Sequence, residues 1–445
     1  MSGERFFNTR VAGNTAATLY NKKEGGCATM IRYKALVIGV GLAMALGVVS
    51  FSDLPGAFTR AQEQPPQPLA PSAKLDLGGS KVNGFLFTTD GKFVFVSVSV
   101  GRDSSVFLIA ASTADVTKFY GKKIRGCPVA GEICLVQIRG NINPQDLAYN
   151  EAKKVLFVPG YDDDTLYISQ VAFDKDGNPT EAKAAKKVAV GAGPRAVAVN
   201  TEGTRAFTVN EREHTVSVVD ILYKNDAPDK GEVIATIKLD LDEENPTYPS
   251  PADIMLSPKG DQAYVVNTDT WKVCEINNIN ADSEKVKKGE EKIEVGTCVD
   301  TGAYPRAMTM LEDKAYVVNS AGDSVSPLLL NPLKPVIKDE QPVEIPVGDA
   351  PRGIATDGQC WIAVTNTGVD NAEGPRASLS FIHKSLDLDK IVTTPIVALV
   401  EGDPITPTQV QVLTTADAKS LWVLNISARG ELLIYPAPEQ IKTCP

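Results

Sequence analysis

Three arginines, Arg195, Arg306 and Arg352, each directly follow a proline at the head of a short apolar stretch. A guanidinium is always charged and presents a planar fork of donors. That fork suits a carboxylate or a phosphate, whose paired oxygens match it. Three forks brought to one place would make an anion site. The alternative use is structural, with each arginine bonding carbonyls or acids of a neighbouring element. The matching positions in the other copies of the pattern are Asn83, Gln145, Ala252 and Thr408. The shared locus is therefore polar but only partly basic, and its candidate ligand-binding residues are Arg195, Arg306, Arg352, Gln145 and Asn83.

Little else in the sequence offers conventional chemistry. There are only 2 histidines, His214 and His383, which removes many catalytic and metal-site schemes. No haem-attachment C-x-x-C-H, zinc H-E-x-x-H, nucleophile elbow G-x-S-x-G or P-loop is present. On this reading no catalytic residue, metal ligand set or cofactor is assigned. Arg212, Glu213 and His214 lie together on one loop and are the candidates for a hydrolytic centre. Asp162, Asp163 and Asp164 are consecutive, without the alternate spacing of an EF-hand loop, and read as a solvated acidic turn. A formal net charge of −10 opposes nucleic acid as a partner.

The elements that must position these residues are repeats. Pro144, Pro194, Pro251, Pro305, Pro351 and Pro407 each open a short apolar run, followed by a polar turn and a second apolar run. A seventh copy starts at Val82. The hairpin keeps nearly constant length while the connections vary, as expected of propeller blades whose insertions escape into outer loops. Period-two alternation in residues 214–221 and 232–240 supplies a third and a fourth strand. Residues 73–79 read as a fourth strand without a blade, and residues 431–438 as a third strand lacking its fourth. The expected fold is all-β: a seven-bladed β-propeller of four-stranded antiparallel blades, closed by the N-terminal strand. Asn210, Asn267, Asn319, Asn366 and Asn425 end the second runs, where asparagine can bond its own backbone in a turn. Trp271, Trp361 and Trp422 are expected to fill gaps between blades.

The runs Tyr264-Val265-Val266-Asn267 and Tyr316-Val317-Val318-Asn319, with residues 190–210 and 347–356, resemble the signature of YVTN-repeat, YncE-like propellers. The resemblance spans about residues 73–445 and is strong in four blades. It implies a seven-bladed propeller, in a group that includes surface-layer components, periplasmic proteins and lactonase relatives, so it does not choose a function.

Ahead of the repeats, Arg32 and Lys34 precede an apolar run at residues 35–49, the pattern of a secretory signal and short for a membrane span. The expected organisation is a non-native extension at 1–29, a signal peptide or signal anchor at 30–52, a Pro/Gln-rich linker at 53–73 and the propeller at 74–445. Six cysteines beyond Cys27 suit an exported protein: Cys127 and Cys134 flank a short loop, Cys274 and Cys298 fall on strands that should be antiparallel neighbours, and Cys360 and Cys444 are left to pair, the sequence leaving the full connectivity open. The leading functional expectation is an exported, non-enzymatic binding or scaffold protein, periplasmic or extracellular. Its partner would be a protein, a cell-envelope polymer or a small anion, with membrane contact only through an uncleaved anchor. The alternatives are a lactonase-like hydrolase and an accessory protein of a periplasmic redox enzyme.

Overall fold

The computed structural model describes residues 69–444 apart from 77–80, 89, 101–102, 111–132, 140–141, 174, 176–178, 183–184, 240–247, 369–376, 386–391, 396–405, 415–418, 426–430 and 442–443. All of them belong to the second of two units, Pro65–Pro445. The signal segment, most of the linker and Cys127 lie outside the described residues.

The described strands form seven antiparallel sheets of four or five strands and one two-stranded hairpin. Each sheet is one blade, and within every blade but the last the strands follow chain order. Blade 3 shows the pattern: Pro194–Val199, Arg205–Asn210, Thr215–Lys224 and Ala227–Lys238. Blade 7 is assembled from both ends of the unit. Its first three strands are Pro407–Thr414, Lys419–Asn425 and Glu431–Pro436. Its fourth is Ala73–Asp76, which pairs antiparallel with Glu431–Pro436.

The second strands are buried on both faces, so they read as unbroken apolar runs. Alternation still decides which neighbour each residue meets. In blade 4, Ala263 and Val265 pack with blade 3, while Tyr264 and Val266 pack with blade 5. Six apolar clusters join the consecutive pairs from blades 1–2 to blades 6–7. Blade 7 meets blade 1 through Gln409, whose Oε1 accepts from Phe85 N at 3.2 Å and whose Nε2 donates to the Asn83 carbonyl at 3.0 Å.

Two disulfides lie within the described residues, Cys274–Cys298 and Cys360–Cys444, two of the pairings that the sequence offered. Cys274 and Cys298 sit opposite one another on paired strands of blade 4. The second joins the turn ahead of Trp361 in blade 6 to the C-terminal segment.

Three features depart from the sequence expectation. A short helix, Ser283–Lys288, interrupts the outer connection of blade 4, capped by Asp282 and stopped by Gly289 at φ 74°. The outer strand of blade 5 is broken into Lys334–Pro335 and Ile345–Pro346, because its prolines lack the N–H that a continuous ladder needs. Trp361 is buried between blades 6 and 7, but Trp271 is half exposed at a turn of blade 4 and fills no gap. The Trp422 side chain lies outside the described residues.

Candidate functional site

The segments that follow the leading proline (or Val82) in all seven blades line one cavity of about 430 Å³. Arg195, Arg306, Arg352, Gln145 and Asn83 all line it, as do Ala252 and Thr408. The sequence therefore brings these residues together. It did not reveal the device that does so. In six blades the residue after the leading proline (or Val82) is skipped in the pairing with the second strand. Such a bulge leaves one residue unpaired and turns its side chain away from the regular alternation. Asn83, Arg195, Ala252, Arg306, Arg352 and Thr408 are those bulged residues.

The bulged residues differ in how well they are paired. Arg195 forms an ion pair with Glu211, which follows the last residue of the second strand. Arg306 stacks over the Tyr304 ring at 4.6 Å, and its buried Nε has no hydrogen-bond partner. Burial, and then repulsion by Arg195 and Arg352, pushes its affinity for a proton below the usual arginine value. Arg306 and Arg352 form no ion pair with any described carboxylate. Tyr304 itself is held at φ 61°, a backbone conformation costly for a bulky residue. The amides are more fully engaged. Asn83 Nδ2 donates to Asn143 Oδ1 at 3.0 Å, and Gln145 Nε2 reaches the Asn143 carbonyl at 3.4 Å.

One residue further on lies a second tier with a different task. Asp146 Oδ2 accepts from Val197 N of the next blade at 3.0 Å. Asp253 Oδ2 accepts from Met308 N of its next blade at 2.8 Å. Gln409 makes the equivalent bond to Phe85 N. At Gly353 the neighbouring blade comes too close for a side chain, since a Cβ there would meet Gln409 Cα at 2.6 Å; at Gly84 the approach is tight, with Asp146 Cα at 3.2 Å. Both carboxylates line the cavity. Burial, then the charge of Asp253, raises Asp146 to about 7, against the pull of the Val197 and Leu147 amides. Burial also raises Asp253, with Met308 N, Ile254 N and Arg195 opposing. Asp146, Asp253, Glu211 and Tyr304 were missed as site residues; only aligning the residues that follow each leading proline would have exposed the two aspartates.

The other sequence candidates do not gather at the cavity. Arg212 pairs with Asp162 at 3.1 Å and stacks on Tyr161 at 4.3 Å. Glu213 accepts from Ala192 N at 2.8 Å, and His214 faces the Tyr248 ring at 5.2 Å. The acidic run is likewise divided: Asp163 accepts from Tyr167 and Asp164 from Gly193 N. Among the strand-ending asparagines, Asn210, Asn319 and Asn366 bond the third strand of their blade rather than their own backbone, and the Asn425 side chain lies outside the described residues. Asn210 Nδ2 donates to Thr215 and Ser217, each at 2.9 Å, and Asn366 Nδ2 to Ser378 and Ser380, each at 2.9 Å. Asn319 does the same with Ser324 and Ser326. These serines then accept from Gly191, Gly302 and Gly348 in the loops entering the same blades. Glycine is required there, because a Cβ at Gly348 would meet Asn366 Nδ2 at 2.6 Å.

Comparison with known proteins adds to this geometry. The family model described as Lactonase, 7-bladed beta-propeller matches residues 147–331. No curated protein matches the sequence. Among solved structures, the Cps50 (Swd1) β-propeller domain of Myceliophteria thermophila is similar, at 12% identity over 83% of this chain and 100% of that one, with a TM-score of 0.53. Hydrazine synthase of Kuenenia stuttgartiensis aligns at 18% identity over 68% of this chain and 80% of that one, with a TM-score of 0.45. A putative 6-phosphogluconolactonase from Bacteroides uniformis aligns at 12% identity over 70% and 83%, with a TM-score of 0.48. The likeness to the Cps50 domain is one of fold. The segment matched by the lactonase model runs from blade 2 into blade 5 and contains Arg195, Glu211 and Arg306, while Arg352 lies beyond it.

Proposed function

We propose that the channel mouth binds a small ligand carrying a carboxylate or phosphate, and that the ligand is a lactone opened there by water. The observation that carries the reading is Arg306, a partly buried guanidinium with an unpartnered Nε, beside Arg352, in the same cavity wall. Neither has a described carboxylate to satisfy it. An anion would supply the missing acceptors in a geometry that arginine recognises. The lactonase model match over 147–331 supports the choice of lactone.

In this reading Arg306 and Arg352 grip the anionic group, and Arg195 faces the ring carbonyl. Water adds to the carbonyl carbon, the ring C–O bond breaks, and the leaving alkoxide recovers a proton. Glu211, held by Arg195, is the carboxylate assigned to take the proton from water. The two disulfides suit an oxidising compartment, where an exported protein would work.

Steady-state hydrolysis of acidic and neutral lactones tests this. Turnover of acidic lactones, lost in Arg306→Ala and in Glu211→Gln, is the expected result. Binding without turnover in every case would return the chain to the non-enzymatic binding protein that its sequence first suggests. One observation favours that second reading: the described residues lining the cavity include no histidine and no cysteine.

A further inference from the structure

The cavity wall carries two tiers of opposite charge. The mouth holds Arg195, Arg306 and Arg352, and Asp146 and Asp253, which follow Gln145 and Ala252 at the matching positions of two other blades, line the same cavity. Glu211 pairs with Arg195 at the edge, and Tyr304 lies against Arg306. Asp146 and Asp253 occupy equivalent positions two blades apart, and each holds a backbone amide of the following blade. Neither carboxylate forms an ion pair among the described residues.

We propose that anion binding at the mouth is coupled to proton uptake by the Asp146–Asp253 pair beneath it, so that the channel holds anions more tightly in acid than in alkali. The inference rests on the reading of the mouth as an anion site. An arriving anion cancels the arginine charge that Asp253 now feels and adds its own repulsion to both carboxylates. A proton on the pair removes one of those repulsions. Asp146 is poised for this, because burial and Asp253 already lift it to about 7. The two carboxylates repel each other, so the proton belongs to the pair rather than to one residue.

The probe is sulfate, which stays fully ionised throughout. Calorimetry of the full chain in two buffers of different ionisation enthalpy counts the protons taken up per sulfate. The expected result is uptake of a fraction of a proton near neutrality. Affinity should be about tenfold weaker at about pH 8.5 than at about pH 5.5. In Asp146→Asn, which keeps an oxygen for Val197 N–H, uptake should vanish and affinity should become flat with pH. Equal wild-type affinity at both pH values without proton uptake would overturn the coupling and leave the anion site standing. So would an Asp146→Asn variant that keeps the wild-type profile. Sulfate failing to bind at either pH would remove the anion site, and the coupling with it.

Discussion

Two adjacent positions on the same strands behave in opposite ways. The bulged residue faces the cavity and is irregular from blade to blade: asparagine, arginine, alanine or threonine. The residue after it meets the next blade: Asp146, Asp253 and Gln409 cap a neighbouring amide, Gly84 and Gly353 let the neighbour approach, and Ala196 and Ala307 pack in the interblade clusters. The second position is constrained by the ring, since a buried amide without an acceptor costs roughly 1–3 kcal/mol. The first is released from pairing by the bulge and is free to carry ligand chemistry. The two therefore separate what holds the ring from what the ring can bind.

The comparison requires that the ring be an independent support for the mouth, and the largest effect should come from opening it. Removing the N-terminal strand through Asp76 strips the partner from Glu431–Pro436 and exposes that edge. A loss of about 3–4 kcal/mol is expected from the lost ladder and packing, read by denaturant unfolding. An unchanged unfolding midpoint would mean that this pairing contributes little to the ring. Next comes Asn366→Ala, which removes the Nδ2 donor shared by Ser378 and Ser380 at a buried position. It should cost about 3 kcal/mol of stability. Anion affinity should stay unchanged below the melting range; a large affinity loss would show that the two roles are not separable.

Much of the ring was legible because it repeats. The proline-led hairpins and the strand at residues 73–76 follow from alternation and spacing, and Cys274–Cys298 from its place on neighbouring strands, whereas Cys360–Cys444 was legible only as the pair left over. The convergence of the arginines followed from equivalence of position. What escaped was set by tertiary geometry. The asparagines find their acceptors on a third strand rather than in their own turn, and nothing local announces those serines. Asp146 and Asp253 are followed by ordinary apolar residues and gain their character only from the facing blade. The helix Ser283–Lys288 did have a local signal, Asp282 ahead and Gly289 behind, overlooked inside a connection that the repeat marks as variable.

At the mouth the expected effects fall on binding rather than folding. Arg306→Ala should weaken sulfate or an acidic lactone by about 10–100-fold, the worth of a charge-assisted contact of about 1.5–3 kcal/mol. Its melting temperature should hold or rise, because a partly buried guanidinium lacking an acceptor leaves with the mutation. Calorimetry beside thermal unfolding checks both. A marked loss of stability would place Arg306 with the residues that hold the ring, stacked on Tyr304 for structure alone.

The smallest effect tests where Asp146 belongs. Its carboxyl keeps a proton to about 7 in the folded chain, well above its value in an unfolded one. Stability from the protonated form is therefore fully present below about pH 4 and is lost as pH rises through about 7. Asp146→Asn removes the charge and keeps an oxygen for Val197 N–H. At about pH 8.5 the variant should be the more stable chain by about 1–2 kcal/mol. The gap should close toward about pH 5, where the wild-type carboxyl is neutral too. Denaturant unfolding at the two pH values reads the difference. If the variant is instead less stable at both, the Val197 and Leu147 amides need the full negative charge. Asp146 would then be an interblade staple and nothing more, and the boundary between the two positions would run on its cavity side.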